Sequence, residues 1–185
     1  MVRFDAVKPA INFVLFQAIW LACAFGATNQ NLYYAYGLFL ILLVWQLWPT
    51  NRVKMDCLNI LVLLPLGFVL DSIWSLTGLI QYQSHISWFN TAPNWILILW
   101  VTFALTLNHS MAWIYRKPKL ALVFGAIGGP LSYLAAERIG ALAITNKPIT
   151  LLLLVVAWFL ALLICLQLKP KAADRQLTDK HGRYA

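Results

Sequence analysis

The sequence predicts an all-α polytopic membrane protein: a bundle of six transmembrane helices with both termini cytoplasmic. Three observations predict it. The chain is 62% hydrophobic and 11% charged, against roughly 45–50% apolar and about 25% charged in soluble globular chains. Six apolar stretches alternate with short polar breaks. A helical span needs about 17–25 residues, and a spanning barrel would instead alternate apolar and polar residues in segments of about ten. Finally, twelve of the fourteen Lys and Arg residues fall on one side of the scheme, and the positive-inside rule makes that side cytoplasmic.

Span one, 10–25, is short. Arg3 and Lys8 precede it and "ATNQN" ends it. Asn12 sits near the cytoplasmic interface, where water can reach it; Gln17 is deeper and needs a partner. "LAC" at Cys23 hints at lipoprotein-type cleavage, but Trp20 fits that pattern poorly and Asn12 and Gln17 are unusual in a signal core. Span two, 32–48, opens on Tyr33, Tyr34 and Tyr36 and closes at Trp48. Arg52 and Lys54 follow in "PTNRVKMD". Span three, 58–80, contains "GFVLDSIWSLTG", in which Gly67, Asp71, Ser75 and Gly78 share one narrow helical face.

Trp88 and Trp95 flank the start of span four, 95–115, and Trp113 and Tyr115 lie at its cytoplasmic end. It holds "TLNHS", the densest polar cluster within a span, and Arg116, Lys117 and Lys119 follow. Span five, 120–136 or slightly beyond, holds "GAIGGPLSYLAAERIG". Gly125 and Gly129 form a GxxxG pair, Gly128 continues a small-residue stripe suited to close helix packing, and Pro130 is expected to kink the helix. Span six, 149–168, is uninterrupted. Residues 1–168 thus read as one transmembrane domain. The basic tail 169–185 reads as disordered, cytoplasmic and weakly attracted to anionic lipid.

Connections this short leave chemistry to the helices and their rims. A carboxylate at a helix centre costs about 2.5–3.5 kcal/mol on insertion scales, so Asp71 heads the candidate polar site, with Asn108, His109, Arg138 and Gln17. By depth Arg138 is the best-matched charge for Asp71, and the two are expected to pair. A metal centre needs three or four ligands. His109 has no second intramembrane histidine, so no metal, haem or other cofactor is expected. Cys23, Cys57 and Cys165 have no disulfide or metal spacing and read as small apolar residues. The formal charge of +8 describes membrane orientation rather than nucleic-acid binding.

The order "NFVLFQAIW…GA", the aspartate of "GFVLDSIWSLTG", "TLN" and "GAIGGPLSYLAAERIG" resembles a bacterial inner-membrane family known as domain of unknown function 2878. The resemblance runs from about Asn12 to Leu168. Its most specific parts are Asp71 and the run of Gly128, Gly129, Pro130, Leu131 and Tyr133; the family pattern includes Arg138 but not the acid of Glu137. The resemblance implies a small proteobacterial inner-membrane protein without an assigned activity. It also implies an association, by gene neighbourhood, with fatty-acid modification, which carries no mechanism.

Three readings stay open. One is a protein that handles or helps modify a membrane lipid or acyl chain, with Asp71, Asn108 and Arg138 on the polar part and Trp74 and Trp100 along the apolar part. The second is a small proton-coupled transporter hinged at Pro130. The third is a scaffold that assembles with itself or with another membrane protein.

Overall fold

The computed structural model of the chain describes residues 3–83 and 90–168, with side chains from residue 7 onward. Trp88 and the basic tail 169–185 lie outside the described residues.

Six α-helices follow in order: α1 (Arg3–Thr28), α2 (Tyr33–Leu47), α3 (Lys54–Leu76), α4 (Asn94–Ala104), α5 (Pro118–Ile139) and α6 (Lys147–Gln167). Contacts between helix ends show that they alternate in direction. At one end of the bundle Lys8, early in α1, donates to the Thr50 carbonyl just past α2. At the other end Thr28, closing α1, donates to the carbonyl of Ile139, closing α5. Helices α1, α3, α5 and α6 are long and apolar enough to cross a membrane; α2 and α4 are shorter. Leu61, Leu152, Val14 and Leu40 are among the large apolar side chains that point outward and are mostly exposed. Apolar faces of this extent would be adhesive in water, and the chain has the build of a membrane-embedded protein.

Helix α3 organises the interior. Asp56, Asn59, Leu63, Gly67, Asp71 and Trp74 are all buried and recur every three or four residues, so they form one inward stripe. A carboxylate stands near each end of that stripe. At about 1.5 Å per residue the two acids are about 22 Å apart along the helix.

Span four is not one helix. α4 ends at Ala104, residues 105–111 form successive turns, and a 3-10 helix covers Ala112–Tyr115. Local hydrogen bonds compete with the helical ladder here. Thr106 Oγ1 returns to the Phe103 carbonyl at 2.6 Å, and the Met111 amide returns to the Thr106 carbonyl. The polar run "TLNHS" therefore breaks the helix instead of riding on it.

A small antiparallel ladder was also not expected. Strand β1 (Ile80–Tyr82) follows α3 and β2 (Leu142–Ile144) follows α5, with Ile80 opposite Ile144 and Tyr82 opposite Leu142. Gly78 and Gly140 turn the chain from helix into this ladder, with φ of +70° and +89°, a region open to glycine at little cost. Gly78 thus lies past the end of α3 and not on its narrow face. Helix α5 runs unbroken through Pro130, so the paired half-helices of many transporters are not formed there.

Candidate functional site

Asp71 is fully buried and gathers three neutral donors. The hydroxyls of Tyr82 and Tyr133 each donate to Oδ1 at 2.6 Å, and Trp100 Nε1 donates to Oδ2 at 2.7 Å. Three donors on two oxygens is the pattern of a carboxylate used as an acceptor. Four elements meet on this one group: α3 carries it, while β1, α4 and α5 supply the donors. The β1–β2 register delivers Tyr82. Burial pushes the Tyr82 hydroxyl well above the ordinary tyrosine range, the Asp71 charge adding to the effect, so it remains a donor.

The expected Asp71–Arg138 pair is not formed. Helix α5 presents Tyr133 to Asp71, and five residues on, at about 100° per residue, Arg138 is rotated by about 140°. Arg138 is exposed near the end of α5. Glu137 beside it bonds the Ile144 amide and pairs with Lys147 at 3.0 Å.

Trp100 also stacks on Trp158 of α6, with ring centroids 5.2 Å apart and planes 9° from parallel. Two glycines seat this indole pair. A Cβ at Gly67 would overlap the Trp100 ring, and one at Gly129 would overlap the Trp158 ring. Gly125 makes room for α6 itself, at Leu162 and the Trp158 carbonyl, whereas Gly128 meets only Phe124, at 3.9 Å. The glycines expected to pack helices therefore do three different things.

Gly128 borders a groove of about 590 Å³ among α1, α4, α5 and α6. Its walls are chiefly aromatic: Phe16 and Trp20 from α1, Trp100 and Phe103 from α4, Tyr133 from α5 and Trp158 from α6. Phe13, Phe124 and Leu131 also line it, yet each is about half exposed on the outer surface. The groove thus opens sideways between α1 and α5. Asp71 is not in the wall; it grips Trp100 and Tyr133, which are. Trp74 is buried in the core and is not a lining residue.

Polar groups in the groove are few. The hydroxyls of Thr106, Ser110 and Ser132 are committed to the Phe103 carbonyl, Asn12 Oδ1 and the Gly129 carbonyl. Gln17 lines the groove and makes no hydrogen bond among the described residues. On α5, Gly128, Leu131 and Ala135 line the groove, and Arg138 stands at the next step along the same face. Among the described residues Arg138 has no hydrogen bond or ion pair.

Asn108 and His109 belong to a second cluster, at the other end of α3. Asn108 Nδ2 donates to Asp56 Oδ1 at 2.8 Å, and His109 Nε2 lies 3.1 Å from Asp56 Oδ2. Asp56 Oδ2 also accepts from Gln46 Nε2 and from the Val53 amide that opens α3, and Gln46 meets His109 directly. Asn12 donates to Gln46 and to the Leu105 carbonyl, and accepts from Ser110 Oγ at 2.6 Å. Asn12 is fully buried, not solvated at an interface. In the sequence Asp56 belongs to the polar connection "PTNRVKMD" and Gln46 to an otherwise apolar span. The usable signal was register, since Asp56 precedes Asp71 by about four helical turns. Among the described residues no group of three His, Cys, Asp or Glu could hold a metal ion.

A family model described as "Protein of unknown function (DUF2878)" matches residues 9–164. No curated protein and no solved structure matches the chain.

Proposed function

The chain belongs to the DUF2878 family, and on that premise we propose that it is a six-span protein of the bacterial inner membrane that holds the apolar chain of an anionic lipid in its aromatic groove. Both termini face the cytoplasm in this reading. The orientation is supported by charge: Lys8, Arg52, Lys54, Arg116 and Lys117 all lie at the bundle end where α1, α3 and α5 begin. With the turns and the 3-10 helix that follow it, α4 belongs to a segment long enough for a crossing.

The groove carries the proposal. Its volume falls within the roughly 300–1,000 Å³ of small-molecule sites, its walls are aromatic and aliphatic, and its mouth lies on an apolar outer face. A ligand reaching it would come from the bilayer. Arg138, exposed one helical step beyond Leu131 and Ala135 at the rim of the groove and without a hydrogen bond or ion pair among the described residues, is suited to an anionic headgroup, and Gln17 to a carbonyl or hydroxyl partway along the chain. The hydroxyls in and around the groove are already engaged, so the reading is of holding and shielding, with no bond-breaking step.

Native mass spectrometry of the detergent-purified protein tests this. The wild-type chain is expected to retain phosphatidylglycerol. Gly128→Leu, which fills the groove from a position with free space, is expected to lose at least tenfold of it. Arg138→Gln is expected to lower retention of phosphatidylglycerol more than that of phosphatidylethanolamine. Equal lipid retention by wild type and Gly128→Leu would sink the proposal.

A further inference from the structure

The cluster around Asp56 contains buried polar atoms that its hydrogen bonds do not use. Both ends of the Asn59 amide, Asn108 Oδ1 and the Tyr115 hydroxyl are buried without a hydrogen-bond partner among the described residues. Asn59 is fully buried and follows Asp56 by three residues, so the two share the inward face of α3. Asn108 is held to Asp56 through its Nδ2 at 2.8 Å, which keeps its free carbonyl oxygen next to the carboxylate. The Tyr115 hydroxyl lies beside Asn59, without closing a hydrogen bond to it, and within electrostatic reach of Asp56. Unpaired polar atoms are costly to bury, and these come from two separate segments, α3 and the stretch that follows α4.

We propose that Asp56, Asn59, Asn108 and Tyr115 form a binding site for a monovalent metal cation. The donors are of the right kind for a hard cation: one carboxylate, two amide carbonyls and a hydroxyl are all hard oxygen ligands. Asp56 sets the valence. One positive charge balances one buried carboxylate, while a divalent ion would leave an uncompensated charge in a low-dielectric interior. The Asn59 carbonyl oxygen, buried without a hydrogen-bond partner among the described residues, is the atom this residue offers to the ion. This site is separate from the aromatic groove and stands whether or not the groove holds lipid. Internal water on the same atoms is the competing occupant.

The test is tryptophan-monitored melting of the full chain in detergent, in NaCl, KCl or choline chloride at equal ionic strength. A midpoint several degrees higher in NaCl or KCl than in choline chloride is expected, and Asn59→Leu should lose that difference. Tyr115→Phe, which removes a single oxygen, should raise the half-saturating sodium or potassium concentration at least threefold and covers the case in which Asn59→Leu does not fold. A wild-type midpoint that is the same in all three salts overturns the cation site and leaves the atoms to water. So does a folded Asn59→Leu protein that keeps the full salt-specific gain.

Discussion

Asp71 is held by hydrogen bonds from neutral side chains, and that makes its behaviour on substitution specific. In Asp71→Asn one acceptor oxygen becomes an NH2 group that faces a donor from Tyr82, Tyr133 or Trp100. At least one buried donor is then left unpaired, at a cost of about 1–3 kcal/mol. The expected outcome is a lower melting midpoint for Asp71→Asn, with altered fluorescence from Trp100; an unchanged midpoint would contradict the three-donor arrangement. The sequence made Asp71 visible because a carboxylate in an apolar run is costly. It did not reveal the partners, because ranking the polar and charged residues by depth selects Arg138 and passes over Tyr and Trp. Two of the three donors also sit in β1 and in mid-α5, which only the tertiary fold brings together. Asn12 shows the same limit, since its partners Gln46 and Ser110 are far from it in sequence.

Helix α5 carries adjacent glycines in opposite circumstances. A methyl at Gly129 would collide with the Trp158 ring, and a methyl at Gly128 would enter the groove with nothing closer than 3.9 Å. Gly129→Ala is expected to destabilise the protein by about 1–3 kcal/mol, the scale of overpacking. Gly128→Ala is expected to be neutral or to stabilise by up to about 1 kcal/mol, from helix propensity alone. Thermal melts of the two variants side by side check the contrast, and equal effects would contradict it. The existence and order of the six helices were legible from apolar length and polar breaks, although α1 begins seven residues before the expected span and α4 ends eleven residues early. The break after α4 was written in "TLNHS" but read as polar residues on a helix, since side-chain competition with the backbone depends on what those side chains meet. Strands of three residues carry no periodicity to read.

At the scale of the whole molecule, alternating helices place the starts of α1, α3 and α5 at the basic end, and the proposed orientation sets that end in the cytoplasm. Cys57 lies in the first turn of α3 and is exposed, whereas Cys23 and Cys165 are buried. A membrane-impermeant maleimide should therefore label Cys57 in inside-out vesicles and not in intact spheroplasts; the reverse pattern would invert the topology. Composition was enough to expect a bundle of apolar helices, and charge placement is what the proposed orientation rests on. The groove was not legible, because it is made by side chains from four helices and by the one glycine of the stripe that packs against no neighbouring helix. The most direct test of the central claim uses phosphatidylglycerol with a photoactivatable diazirine in its acyl chain, crosslinked to the protein in vesicles and mapped by peptide. Adducts concentrated on Phe13, Phe124 and Leu131 at the groove mouth, and abolished there by Gly128→Leu, are the predicted result. Adducts spread equally over outward residues such as Leu61 and Leu152, and indifferent to Gly128→Leu, would contradict it.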